Sequence, residues 1–229
     1  MTNRLNTLSE SARWRLLVDA AKQGAQEQGY VLSRIPGRGL SNVWNMEKDG
    51  KSQVGAIRTT RDLWIAFPPL EGGTKWKTLD DAELVVVASV DSKDDPQNIE
   101  IYIFPAQEVR KRFNAAYAAR MKAGHVQKDN YGMWVALHPD ERGIASSVGS
   151  GIAKQYPAVA IYSIEALMAA KPDETLQGGE EQPEPGEEVE PEFPRLTTIA
   201  DVMAWARERV AEIAGVRVEA VKLDLKMEY

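Results

Sequence analysis

The stretch from Gly39 to Thr60 reads GLSNVWNMEKDGKSQVGAIRTT, and it decides how the rest of the chain is interpreted. Two short runs with the character of strands flank Lys48-Asp49-Gly50-Lys51. An Asp-Gly pair between two such runs is typical of a two-residue β-hairpin turn. The pattern therefore predicts a hairpin with strands over 42–47 and 52–58.

Helix and strand signals continue on both sides of this hairpin. A capping-box spacing at Thr7 and Glu10, followed by an apolar stripe of helical period, predicts a first helix that ends near Gly29. A second helix is predicted from Ala106 to about Ala123. Further strands are predicted over 30–35, 62–67, 84–88, 99–104, 133–137 and 158–162, and the run 84–88 is apolar enough to be buried on both faces. This order predicts a mixed α/β sheet over residues 1–170.

The composition changes after residue 170. Residues 171–196 are rich in Pro, Glu and Gly and predict a disordered, extended acidic linker. Residues 197–229 then carry a helical stripe, a stop at Gly215 and an alternating strand pattern from Val221 to Met227. A helix-strand unit of this size rarely folds alone, so we predict that it docks, dimerises or binds a partner.

The charge is unevenly distributed along the chain. Residues 1–170 hold 21 Lys and Arg against 19 Asp and Glu, whereas residues 171–198 hold 2 against 9. The net charge of −6 therefore arises in the linker and leaves an anionic partner open for the first domain.

Composition also excludes several kinds of site and location. The chain has no cysteine, which removes disulfides, thiol nucleophiles, iron–sulfur clusters and cysteine-based zinc sites. The polar N-terminus lacks the pattern of a signal peptide, and the longest apolar run, 84–90, is too short to cross a bilayer. These features predict a cytoplasmic protein without a membrane segment.

The quoted stretch resembles the core of the restriction-endonuclease-like PD-(D/E)XK superfamily, and the resemblance extends over about residues 7–123. In that family one strand carries an aspartate, and after a hairpin the next strand carries an acidic residue, any residue and a lysine. The resemblance implies a nuclease-like fold in which these carboxylates hold Mg²⁺ and the lysine positions the attacking water.

At the catalytic positions of this motif, the sequence has residues of a different chemical type from those of the family. Arg58 stands at the lysine position, Ala56 at the acidic position, and the aspartate position falls at Asn42 or Val43. Because alanine offers no ligand to a hard cation, we expect a catalytically degenerate domain that needs no cofactor. If activity persists as a Mg²⁺-dependent nuclease, the candidates are Arg58 and the relocated carboxylates of Asp62 and Asp91.

Basic residues cluster around the hairpin, with Trp44 and Trp64 nearby. We interpret both tryptophans as core residues, and we interpret the basic group as a face that contacts DNA, RNA or a protein partner. The group comprises Arg34, Arg38, Lys48, Lys51, Arg58 and Arg61.

Three functions remain open on the sequence. The first is a non-catalytic, nuclease-like module that binds nucleic acid or protein through the arginine-bearing hairpin. The second is a metal-dependent nuclease with relocated carboxylates. The third is an interaction subunit of an antitoxin, immunity, defence or mobile-element system, in which residues 197–229 form a homodimer or add a strand to a partner.

Overall fold

The computed structural model describes residues 4–35, 42–140 and 142–170, together with Met203, Ala206, Arg207 and Lys222. By its internal contacts the chain divides into two compact units, Met1–Glu184 and Pro185–Tyr229. Apart from those four residues, the predicted linker 171–196 and the predicted element 197–229 lie outside the described residues, and so does Arg38.

The described part of the first unit alternates between strands and helices. A short 3₁₀-helix, Arg4–Thr7, precedes the first helix, and a second, Glu71–Gly73, lies between two short strands. The helices are α1 Glu10–Glu27, α2 Ala106–Lys122, α3 Ile144–Ser147, α4 Ile152–Gln155 and α5 Ile164–Ala170. The strands are β1 Val31–Arg34, β2 Val43–Lys48, β3 Lys51–Thr60, β4 Trp64–Ala66, β5 Pro69–Leu70, β6 Lys75–Trp76, β7 Leu84–Val90, β8 Asn98–Pro105, β9 Trp134–Ala136 and β10 Ala160–Ser163.

Six of these strands form one mixed sheet in the order β1-β2-β3-β7-β8-β10. Strands β3 and β7 are parallel, and each other neighbouring pair is antiparallel. Two small antiparallel pairs, β4–β9 and β5–β6, lie outside this sheet. The predicted mixed α/β sheet is therefore confirmed.

Each face of the large sheet is covered by a different helix. On one face α1 packs Leu16, Leu17 and Ala21 against residues such as Met46 and Val86 of the sheet. Gly24 brings α1 very close to β8, because a Cβ on Gly24 would lie 2.7 Å from Cγ2 of the buried Ile101. We call this the α1 face.

The opposite face is covered by α2 and by the two small strand pairs. Phe113 of α2 makes edge-to-face contacts with Phe67 and Trp76, at centroid distances of 5.3 and 5.1 Å. Every residue of β7 is buried, because β7 lies in the middle of the sheet with a core on each side. We call this second surface the α2 face.

Most of the predicted elements are present, with corrections at the first cap and in the connections. Helix α1 begins at Glu10 with Ser9 as its N-cap, so the predicted capping box at Thr7 is wrong by two residues: the Ser9 hydroxyl accepts a hydrogen bond from the amide of Ala12 at 3.2 Å. The sequence patterns did not predict β5, β6, α3, α4 or α5, each of which is seven residues or shorter.

Within the described residues, no helix is both long and apolar enough to cross a membrane.

Candidate functional site

The parallel pair β3–β7 ends at a polar edge of the sheet. Thr60 is the last residue of β3 and lies opposite Ser89 of β7. Two predicted carboxylates follow, Asp62 two residues after Thr60 and Asp91 two residues after Ser89. In sheets with parallel strands, the carboxyl ends of those strands are a frequent location of binding sites.

The hydroxyl of Thr60 organises the turn that follows β3. It donates a hydrogen bond to Oδ1 of Asp62 at 2.8 Å and accepts one from the amide of Trp64 at 3.1 Å. The Trp64 amide also donates to Oδ1 of Asp62 at 3.2 Å. One oxygen of Asp62 is thus used by the turn, while the side chain remains exposed.

Asp91 stabilises the connection between β7 and β8. Its Oδ1 accepts a hydrogen bond from the amide of Gln97 at 3.0 Å, and its Oδ2 accepts one from the side-chain amide of Asn98 at 2.8 Å. Partial burial raises the pKa of Asp91, but the hydrogen bonds from Asn98 and Gln97 outweigh it and hold the pKa below its usual value. Both oxygens of Asp91 therefore serve the turn.

The positions that match the nuclease motif hold Asn42 or Val43, Ala56 and Arg58, and none of these is a carboxylate. Ala56 is fully buried and lies opposite Val43, which is also buried. Arg58 lies on the α2 face, with its guanidinium carbon 4.6 Å from the centre of the Phe67 ring and a hydrogen bond to the Ile57 carbonyl at 3.0 Å. These residues do not fit a Mg²⁺ ion, which requires oxygen ligands.

In the described ranges, no group of three His, Asp or Glu side chains is arranged to hold a metal ion. Asp62 and Asp91 follow neighbouring parallel strands, yet three of their four oxygens accept hydrogen bonds from their own turns.

The predicted basic residues are distributed over different surfaces. The strand register pairs Arg34 with Trp44 and Lys48 with Lys51. Because directly opposed residues of antiparallel strands project to the same face, Arg34, Lys48 and Lys51 share the α1 face with the buried Trp44. Arg58 lies on the α2 face instead.

Arg61 belongs to neither group. Its Nη2 lies 2.8 Å from Oε1 of Glu10 in the first turn of α1, and Glu10 also pairs with Arg13 at 2.7 Å. The sixth predicted residue, Arg38, lies outside the described residues.

Trp44 is the centre of the cationic group on the α1 face. The ring is 8% exposed, and its centroid lies 4.5 Å from Nζ of Lys22 and 4.2 Å from the guanidinium carbon of Arg34. Farther along β2, Nζ of Lys48 lies 5.1 Å from the centre of the Tyr30 ring. Lys22, which comes from α1, was not predicted, and we define the basic face as Lys22, Arg34, Lys48 and Lys51.

The prediction that both tryptophans are core residues holds for Trp44 only. Trp64 is half-buried and lines an open pocket of about 280 Å³. The rest of the lining comes from the turn after β3, the loop after β7 and the segment after β9. The lining residues are Asp62, Leu63, Trp64, Lys93, Ala136, His138, Pro139, Asp140 and Arg142.

An ion pair between Asp140 and Arg142 forms one wall of this pocket. Arg142 donates from Nε and Nη2 to the carboxylate of Asp140 at 2.9–3.2 Å, and its guanidinium carbon lies 5.1 Å from the centre of the Trp64 ring. The hydrogen bonds from Arg142 lower the pKa of Asp140 and raise the pKa of Arg142. Sequence reasoning missed this pair because no motif marks Asp140 or Arg142.

Comparison with protein-family models, with curated proteins and with solved structures finds no match to this chain.

Proposed function

We propose that the chain is a non-catalytic, nuclease-like binding module that holds the phosphodiester backbone of a nucleic acid on its basic face. The carrying observation is the convergence of four cations from three strands and α1 on one surface. A polyanion is the partner whose charge complements such a surface.

The aromatic rings support this proposal by fixing the cations. Lys22 and Arg34 both lie against one buried indole, which restricts their motion before a ligand arrives. Because these side chains are already restricted in the free protein, they lose less conformational entropy when a ligand binds. Trp44 itself is too buried for a base to stack on it, so contacts to phosphate dominate and little sequence preference is expected.

The nearby acidic residues do not cancel the basic face. Asp19 lies 3.7 Å from Lys22, and Asp49 occupies the hairpin turn beside Lys48. These two carboxylates stand beside the four described cations of the basic face, and on that balance we expect the surface to attract anions. Glu47 lies on the opposite face, because it alternates with Met46 and Lys48 along β2.

The proposal is tested by removing three cations together, as Arg34→Gln, Lys48→Gln and Lys51→Gln. The binding of labelled single-stranded and duplex 20-mers of DNA and RNA is measured by fluorescence anisotropy at about 50 mM salt. We expect the variant to bind the preferred oligonucleotide about tenfold more weakly than the wild type.

The matched control removes three exposed lysines outside the basic face, as Lys111→Gln, Lys122→Gln and Lys128→Gln. Both variants change the net charge by the same amount, so a non-specific charge effect would weaken both equally. Equal loss in the two variants, or no binding of any oligonucleotide by micromolar wild-type protein, contradicts the proposal.

A further inference from the structure

The open pocket beyond the carboxyl ends of β3 and β7 is a second site, well separated from the basic face. Lys48 ends β2 and is paired with Lys51, which begins β3, whereas Asp62 follows the end of β3. Ten residues of strand at about 3.3 Å each separate the two ends by roughly 30 Å. A ligand in the pocket therefore does not contact Lys48 or Lys51 unless it is very long.

Among the described residues that line the pocket, Asp62 provides a negative pole. Oδ1 of Asp62 is occupied by Thr60 and Trp64, whereas Oδ2 accepts no hydrogen bond from any described residue. The side chain is exposed and faces the pocket. This oxygen is available for a hydroxyl or an ammonium group of a ligand. Asp140 adds no second negative pole, because both of its oxygens accept hydrogen bonds from Arg142.

The pocket also has a positive pole. Lys93 lines it and has no ion-pair partner in the described part of the chain. Arg142 uses Nε and Nη2 on Asp140, which leaves the donors of Nη1 without an acceptor among the described residues. His138 contributes one further ring N–H in its neutral form. An anionic group is the complement of these donors.

The walls of the pocket are held in place by the fold. Arg142 contacts both Asp140 and the Trp64 ring, and these contacts place its guanidinium in the pocket lining. Leu63, between Asp62 and Trp64, has a positive φ of 68°, which is uncommon for a bulky residue and is typical of positions under functional constraint. The carbonyl of Leu63 accepts the amide of Leu137 at 2.9 Å, so the turn after β3 is tied to the segment after β9.

From this arrangement we propose that the pocket binds a small zwitterion. A carboxylate or phosphate group of the ligand lies against Lys93 and Arg142, and an ammonium group lies against Oδ2 of Asp62. Among the described lining residues, the charge of Lys93 balances that of Asp62 and the charge of Asp140 balances that of Arg142, so a ligand with opposite poles fits them better than a dianion. The pocket is open and has a volume of about 280 Å³, which leaves room for a molecule the size of an amino acid.

The test uses three probes of similar size that differ in their poles. L-alanine carries both charges, propionate lacks the ammonium group, and ethylammonium lacks the carboxylate. The amide resonances of Trp64, Ala136 and Arg142 are followed by NMR while each probe is added at constant ionic strength. We expect saturable shifts with alanine, and a dissociation constant about tenfold higher with either single-charged probe.

Two variants and two controls make the test specific. Asp62→Asn and Lys93→Gln should each weaken alanine binding about tenfold, and Asp62→Asn keeps the Oδ1 that Thr60 and Trp64 use. Lys128→Gln should leave the binding unchanged, and so should the triple variant of the basic face, which separates this proposal from the nucleic-acid proposal. O-phosphoethanolamine shows whether the anionic group is better as a phosphate.

Three results would overturn the proposal. In the first, neither alanine nor O-phosphoethanolamine causes saturable shifts. In the second, propionate or ethylammonium binds as tightly as alanine. In the third, Lys93→Gln leaves the affinity for alanine unchanged.

Discussion

At the scale of single residues, Asp91 shows how a candidate catalytic carboxylate takes a structural role. Its position after a buried strand suggested a relocated metal ligand, yet both oxygens accept hydrogen bonds from the β7–β8 turn. The sequence could predict that Asp91 follows β7, because the apolar run before it is unmistakable. It could not predict the hydrogen bonds, because they depend on how Gln97 and Asn98 return at the start of β8.

This role predicts a pH-dependent loss of stability in Asp91→Asn. Replacing the carboxylate puts an amide N–H₂ group opposite one of the two existing donors and leaves that donor without its acceptor, so the free energy of unfolding should fall by about 1–3 kcal/mol at pH 7. The folded-state pKa of Asp91 is lowered, so its stabilisation is present above the unfolded-state pKa and is lost as the pH falls through the folded-state pKa. The difference between wild type and variant should therefore shrink below about pH 4.

Urea unfolding at pH 7, 5 and 3.5 measures this difference. Asp95→Asn, in the exposed part of the same loop, serves as the control and should change the stability by no more than about 0.5 kcal/mol. A deficit in Asp91→Asn that stays constant from pH 7 to pH 3.5 would show that the ionised carboxylate is not the stabilising species.

At the scale of elements, the hairpin β2–β3 was predictable because its turn requires particular residues. Asp49 and Gly50 have φ values of 52° and 73°, which are the two positive values of a type I′ turn. The six-residue register from Val43↔Ala56 to Lys48↔Lys51 follows from this two-residue turn. The short strands β5 and β6 could not be predicted, because two residues are too few to show a period.

The turn geometry predicts unequal effects of substitution at its two central positions. Gly50→Ala should destabilise the protein by about 1 kcal/mol, because alanine is strained at positive φ. No atom lies within 4 Å of a Cβ built on Gly50, so a loss would reflect backbone strain and not a clash. Asp49→Asn should change the stability by less than about 0.5 kcal/mol, because asparagine tolerates this conformation.

Chemical unfolding of both variants checks this prediction. If Gly50→Ala is as stable as Asp49→Asn, the turn does not have the type I′ conformation in solution.

At the scale of the whole molecule, pairing between distant segments decides what the sequence could not show. The pocket combines residues 62–64, 93, 136, 138–140 and 142, which are brought together by the β3–β7 and β4–β9 pairs. Nothing in the local pattern specifies that β9 returns beside β4. Likewise, the sequence predicted Arg34, Lys48 and Lys51 as part of one basic group with Arg58. The strand register shows that Arg58 lies on the other face of the sheet, and the packing of α1 brings Lys22 to the basic face.

The salt dependence of nucleic-acid binding tests the central claim most directly. For single strands the slope of log K against log salt is about −0.7 per neutralised phosphate, so the loss of three contacting cations should make the slope shallower by about 2. We therefore predict this change for the variant that combines Arg34→Gln, Lys48→Gln and Lys51→Gln, and an unchanged slope for the variant that combines Lys111→Gln, Lys122→Gln and Lys128→Gln. Equal slopes for the wild type and the basic-face variant would contradict the account.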